Sequence, residues 1–248
     1  MIIYNNIFIN KKIMNKLNKI KILLEKNYKF KGINYVYFPK TNGELKELVN
    51  NLIKQYGDKV DLNNINVSNI NDFSKIFMWK SNFNGNVSEW DVSNGYDFTS
   101  MFDYCYKFNS NLFYWNVSNS KNFNFIFYKC KNFNSNLSQW NVFNSKSFSY
   151  MFYNCYKFNT NLSNWNVFNS KEFNFMFEEC YKFNSDLSQW DVSNGEYFTN
   201  MFYNCKSFNA DLSQWNVEKA KNWKGFAKYS LLEQYPERIP EKFRKEYL

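Results

Sequence analysis

The chain has 248 residues, 44% of them apolar and 22% aromatic, with a formal charge of +9 and no histidine. That length accommodates one large domain or two small ones, and the apolar share suffices for a core. Without histidine, acid–base catalysis would fall to carboxylates, Lys, Tyr or Cys, and no apolar run approaches the ~18–20 residues of a membrane-spanning helix.

The charge is concentrated at the ends. Residues 1–60 carry 12 Lys against 4 acids (+8), residues 61–220 carry 12 Lys against 14 acids (−2), and residues 221–248 carry 7 Lys/Arg against 4 acids (+3). The opening "MIIYNNIFINKKIMNKLNKIKILLEKNYKF" is broken by Asn and Lys before the ~7–15 apolar residues of a signal-peptide core can accumulate. The first cysteine is Cys105, too late for a lipid-attachment site. The sequence therefore predicts a cytoplasmic chain. Its basic segment 11–31 offers one mode of action, attraction to nucleic acid or an anionic membrane surface.

The first predicted element is a helix in "TNGELKELVNNLIKQYG". Thr41 and Glu44 form a capping box, Leu45, Leu48 and Leu52 make an apolar stripe, and Gly57 stops it. Together with the basic segment it makes up region 1–59, the N-terminal cap. Region 60–230 is a tandem repeat. Trp90, Trp115, Trp140, Trp165, Trp190 and Trp215 fall every 25 residues, and so do all five cysteines, Cys105, Cys130, Cys155, Cys180 and Cys205. Phe108 to Phe208, Leu112 to Leu212 and Val92 to Val217 keep the same step.

Within one unit, Phe98, Met101, Phe102 and Cys105 have the i, i+3, i+4, i+7 spacing of a short helix. Leu112, Trp115 and Val117 alternate with polar residues as a brief strand does. The spacing predicts an α/β solenoid: about six to seven helix-turn-strand coils, a short parallel sheet, and helical caps at both ends. Region 231–248, with Pro236 and Pro240, is the C-terminal cap.

The unit M-F-x-x-C-x-x-F-N-x-x-L-S-x-W-N-V-S-N resembles the 25-residue repeat first named from mycoplasma lipoproteins, grouped with the BspA-like leucine-rich-repeat surface proteins. The Leu112-x-x-Trp115-x-Val117 segment is similar to the core of such repeats with aromatic replacements. The resemblance covers roughly residues 60–230, and it implies a non-enzymatic repeat protein at the cell surface that binds host or partner proteins. It thus points to a different location from the one expected from the N-terminus.

The conspicuous residues read as structure. One cysteine per unit forms a row, not a tetrahedral cluster, no C-x-x-C occurs, and no metal or cofactor is expected. The tryptophans share the inward phase of Leu112 and Val117; a stacking platform for sugars would need them outside. The asparagine rows, Asn84 to Asn209 and Asn69 to Asn194, are expected to bond turn backbones. Function is then left to the outward rows of the predicted strands: Tyr114, Gln139, Asn164 and Gln189 in one, Asn116, Asn141, Asn166 and Asp191 in the next. Phe143 and Phe168 replace the Ser of Ser93, Ser118 and Ser193, and Phe113 also stands where Ser is usual. These eleven residues, Phe113, Tyr114, Asn116, Gln139, Asn141, Phe143, Asn164, Asn166, Phe168, Gln189 and Asp191, are the predicted partner-binding surface of a monomeric scaffold.

Overall fold

The computed structural model describes residues 29–30 and 33–247. The basic segment 11–31 lies outside these except for Lys29–Phe30. β1 (Lys29–Phe30) and β2 (Ile33–Asn34) pair antiparallel as a small ribbon. α1 (Asn42–Tyr56) follows, with Thr41 Oγ1 accepting from the Glu44 amide at 3.2 Å and Gly57 ending it at φ 86°. Leu45, Val49 and Leu52 are its buried face. The reciprocal bond of the capping box goes one residue early, from the Lys40 amide to Glu44 Oε2.

From about residue 58 the chain winds in 25-residue coils stacked on one another, but the units are not helix-turn-strand. The α/β solenoid with a parallel sheet is contradicted: among the described residues no coil forms a helix or an extended strand, and neighbouring coils share single-residue parallel bridges. One such series runs Asp72–Asp97–Asn122–Ser147–Glu172–Tyr197–Asn222. The resemblance to leucine-rich repeats therefore does not extend to their architecture.

The expected helix fails because two residues of each unit occupy the left-handed region, Ser100 at φ 56° and Tyr104 at φ 59° in one coil, Phe125 and Lys129 in the next. A left-handed residue breaks an α-helix. In its place, alternate amides point along the stack. Phe98, Ser100, Phe102 and Tyr104 donate to the carbonyls of Asn122, Asn124, Ile126 and Tyr128 at 2.9–3.1 Å. The amides between them close local turns, Met101 to Phe98, Asp103 to Ser100 and Cys105 to Phe102. The expected strand fails because its ends are corners. Trp115 N–H bonds Leu112 O and Ser120 N–H bonds Val117 O, five residues further on. Asn111 Oδ1 and Asn116 Oδ1 tighten these corners by accepting from the amides two residues later, which is Asx-turn chemistry.

This ladder is polar. The peptide joining Asp97 and Phe98 accepts from Phe73 N–H on one side and donates to Asn122 O on the other, and the same relay continues through Phe123, Phe148, Phe173 and Phe198 to Asn222. All bonds in the relay run the same way, so the peptide dipoles add as they do along a helix. Each end then leaves one kind of group unpaired, and each is closed by a side chain of the matching kind. At the carbonyl end, Asn42 Nδ2 donates to Asp72 O and Ser74 O. At the amide end, Gly225, Ala227 and Tyr229 N–H donate to Glu246 Oε1, Tyr247 Oη and Glu233 Oε2, each at 2.7 Å. These acceptors come from the C-terminal cap, which consists of 3-10 turns at Leu232–Gln234 and Pro236–Arg238 and the short α2 (Glu241–Arg244).

The interior is a set of aromatic columns. Trp115, Trp140, Trp165, Trp190 and Trp215 repeat at 6.4 Å with planes within 4° of parallel. Phe102, Phe127, Phe152, Phe177 and their sister Phe columns are fully buried beside them. Each indole donates to a carbonyl 28 residues earlier, Trp165 Nε1 to Leu137 O at 3.0 Å, and each thiol does the same, Cys155 Sγ to Phe127 O at 3.0 Å. The buried indoles and thiols of these columns thus each keep an acceptor.

Candidate partner-binding walls

The eleven predicted residues fall on one outer wall formed by the corners. Tyr114, Asn116, Gln139, Asn141, Phe143, Asn164, Asn166, Phe168, Gln189 and Asp191 are exposed, and Phe113 is half-buried with its ring edge-on to Tyr114 at 4.9 Å. Tyr114 is 75% exposed, Phe143 42% and Phe168 39%. One polar row of the wall has a local explanation. Asn116, Asn141, Asn166 and Asp191 each accept, through Oδ1, the amide two residues on. Their residue type is required by the turn, whereas nothing in the turn requires Phe at 143 or 168. The backbones there are held by the neighbouring coil, since Asn169 Nδ2 donates to Phe143 O and Asn194 Nδ2 to Phe168 O, both at 2.9 Å.

The asparagine rows bond turn backbones. Asn109, Asn134, Asn159, Asn184 and Asn209 N–H each bond Oδ1 of the Asn one coil before. The five thiols are buried and unpaired with one another, and burial pushes each well above its ordinary value. Thiolate chemistry is therefore disfavoured. Among the described residues no group of three or more Cys, Asp or Glu is placed to hold a metal ion, and none of the helices is long and apolar enough to cross a membrane.

A second wall, on the ladder side, is built from residues that lie between the buried apolar positions of each unit. Here Asp103, Tyr128, Tyr153 and Glu178 occupy the same place in four consecutive coils, with Tyr104, Lys129, Asn154 and Glu179 next to them. Phe125, Tyr150 and Phe175 stack at 4.6 and 4.4 Å, and Tyr128 on Tyr153 at 4.7 Å. Lys129 Nζ lies 4.7 Å over the Tyr104 ring and bonds its hydroxyl. Because ring faces are turned toward neighbouring coils, the wall shows edges and hydroxyls outward, which suits hydrogen bonding better than base or sugar stacking. Burial raises Asp103 to about 6, against the pull of Lys129, and Glu178 to about 7, against its bond from Asn200. Burial likewise raises the Tyr153 hydroxyl to about 12. Elsewhere Glu196, paired with Lys171 at 2.8 Å and Lys221 at 2.5 Å, is held down at about 2. The signal that could have revealed this wall was its own periodicity, Tyr or acid at every 25th position from Asp103 to Tyr203.

Comparison with curated proteins and with solved structures gives no match. A family match does cover the stacked coils and α1, over residues 44–161 and 145–235. The matched span is the one that carries the 25-residue period, and it exceeds half of the chain. The chain belongs to the family described as "Mycoplasma protein of unknown function, DUF285".

Proposed function

We propose that the chain is a non-enzymatic scaffold that binds a protein partner across the wall bearing Tyr114, Phe143 and Phe168. The observation that carries this reading is the pair Phe143 and Phe168. They occupy one position in two consecutive coils, stand 42% and 39% exposed, and replace the Ser of sister coils. Exposed apolar surface that packing does not require marks interaction sites, and stacked repeats present such surface as one extended face. A surface setting, as in the BspA-like proteins whose repeat this one resembles, would make the partner a host protein.

The test is a pull-down with the whole chain from the cell's own lysate and from a host-cell extract. The reading predicts a specific partner whose capture drops about thirtyfold with Phe143→Ala/Phe168→Ala, the effect of about 2 kcal/mol for an interface hot spot, while thermal stability is retained. Equal capture by the parent and the double variant would remove this wall from the account.

A further inference from the structure

The wall changes character at its N-terminal end, in the coil where it meets the β1–β2 ribbon. Glu89 and Asp91 stand there at the positions that later coils give to Gln139 and Asn141. Between this coil and the chain at β2 and just after it lies a cleft of about 270 Å³. Ile33 and Tyr35 line one side, Glu89, Asp91 and Ser93 another, and Tyr114 and Asn116 the rim, with Trp90 and Val92 at the floor. Trp90 is fixed by its Nε1 bond to Leu62 O at 2.9 Å, so the floor is rigid.

Both carboxylates are hydrogen-bonded, and among the described residues neither has an ion-pair partner. Asp91 Oδ1 accepts the Ser93 amide at 3.1 Å, and Glu89 Oε1 accepts from Ser88 Oγ at 3.3 Å. Among the described residues the only ion pairs are those of Glu196 with Lys171 and Lys221. Tyr35 and Tyr114 add two phenol rings, and none of the lysine-on-ring contacts among the described residues uses either one. The ladder-side wall and its neighbours show what such rings accept: Lys129 sits over Tyr104 at 4.7 Å and Lys131 over Tyr106 at 4.8 Å.

We propose that this cleft takes one cationic side chain, the ammonium of a lysine or the guanidinium of an arginine, from the partner polypeptide. Two carboxylates supply charge, two aromatic rings supply cation–π attraction, and a pocket of this size takes a single side chain. The inference rests on the binding-scaffold reading and names the chemistry that would orient the partner: an apolar contact at Phe143 and Phe168, and a basic residue reaching the cleft two to three coils away.

The substitutions that test it are those the repeat itself supplies, Glu89→Gln and Asp91→Asn, which keep the Asx turn and remove both charges. The probe is acetyl-Gly-Lys-Gly-amide, titrated into the labelled whole chain while the amide resonances of Asp91, Ser93 and Asn116 are followed. Acetyl-Gly-Arg-Gly-amide and the norleucine peptide are run alongside. The lysine and arginine peptides are expected to shift these resonances and the norleucine peptide not to. The double variant is expected to bind about tenfold more weakly, the effect of losing two partly solvated carboxylates. Phe143→Ala/Phe168→Ala should leave the titration unchanged, so failure of the cleft and failure of the apolar patch give different results. Equal shifts with norleucine, or unchanged binding by Glu89→Gln/Asp91→Asn, would overturn the proposal.

Discussion

Trp165→Ala is expected to lower the unfolding free energy by about 3–5 kcal/mol, the range for emptying a large buried aromatic site. Trp165 is 3% exposed and lies between Trp140 and Trp190, 6.4 Å from each. Removing it breaks the column on both sides and opens a void that close-packed neighbours cannot fill. It also takes the indole donor from Leu137 O, which keeps only the Trp140 amide, so one buried hydrogen bond is lost as well. Trp165→Phe keeps most of the ring and loses only that bond, so it should cost about 1–2 kcal/mol. Urea denaturation of the three proteins measures both effects. A loss below about 1 kcal/mol for Trp165→Ala would mean that the column does not hold the stack together.

The ladder-side carboxyls give the second large effect, and its sign is opposite to that of an ion pair. Asp103 and Glu178 have folded-state values of about 6 and about 7 because burial penalises their charged forms. In the unfolded chain both titrate near 4. Folding is therefore favoured with the two groups protonated. Their contribution is fully present below about pH 4 and is lost as pH rises through 6 and 7.

The variant Asp103→Asn/Glu178→Gln never ionises, and its Gln oxygen can still accept from Asn200. It should be more stable than the parent by about 1–2 kcal/mol at pH 8, less than the full conversion of both shifts because water reaches the outer edge of each carboxyl. The gap should close by about pH 4. Glu196, whose depressed value makes its ion pairs stabilising above about pH 4, is common to both proteins and cancels. Thermal unfolding across that range decides the matter, and a pH-independent difference would contradict the burial account.

The sequence displayed the period, the core and the caps more clearly than the local backbone. Phe98, Met101, Phe102, Cys105, Leu112, Trp115 and Val117 are all buried, as their phase implies. The helix at Thr41 starts and stops where its capping chemistry places it. The spacing of Phe98, Met101, Phe102 and Cys105 nevertheless fits two backbones: a helix, and a chain of turns with a left-handed residue at every fourth position. Glycine would have announced the second, but the left-handed sites carry Ser100, Tyr104, Phe125 and Lys129. Such residues adopt that conformation only because inter-coil bonds repay its local cost, and that gain is invisible in a single unit.

The corners were more legible than they were taken to be. Asn111 and Asn116, five residues apart, are Asx-turn residues at the two ends of what resembled a strand. Once they are read as turns, the row Asn116, Asn141, Asn166 and Asp191 is explained, whereas the turns give no reason for Phe143, Phe168, Glu89 or the ring of Tyr114.

The central claim is that alternate amides bind the next coil, with no helix inside each one. Scalar couplings across hydrogen bonds test this directly, because they connect an amide nitrogen to the carbonyl carbon it bonds. The structure predicts a correlation from the Phe102 amide to the Ile126 carbonyl and from the Phe127 amide to the Met151 carbonyl, 24 residues onward in each case. Correlations from Phe102 back to Phe98, the i−4 partner of an α-helix, would contradict it and restore the helical unit.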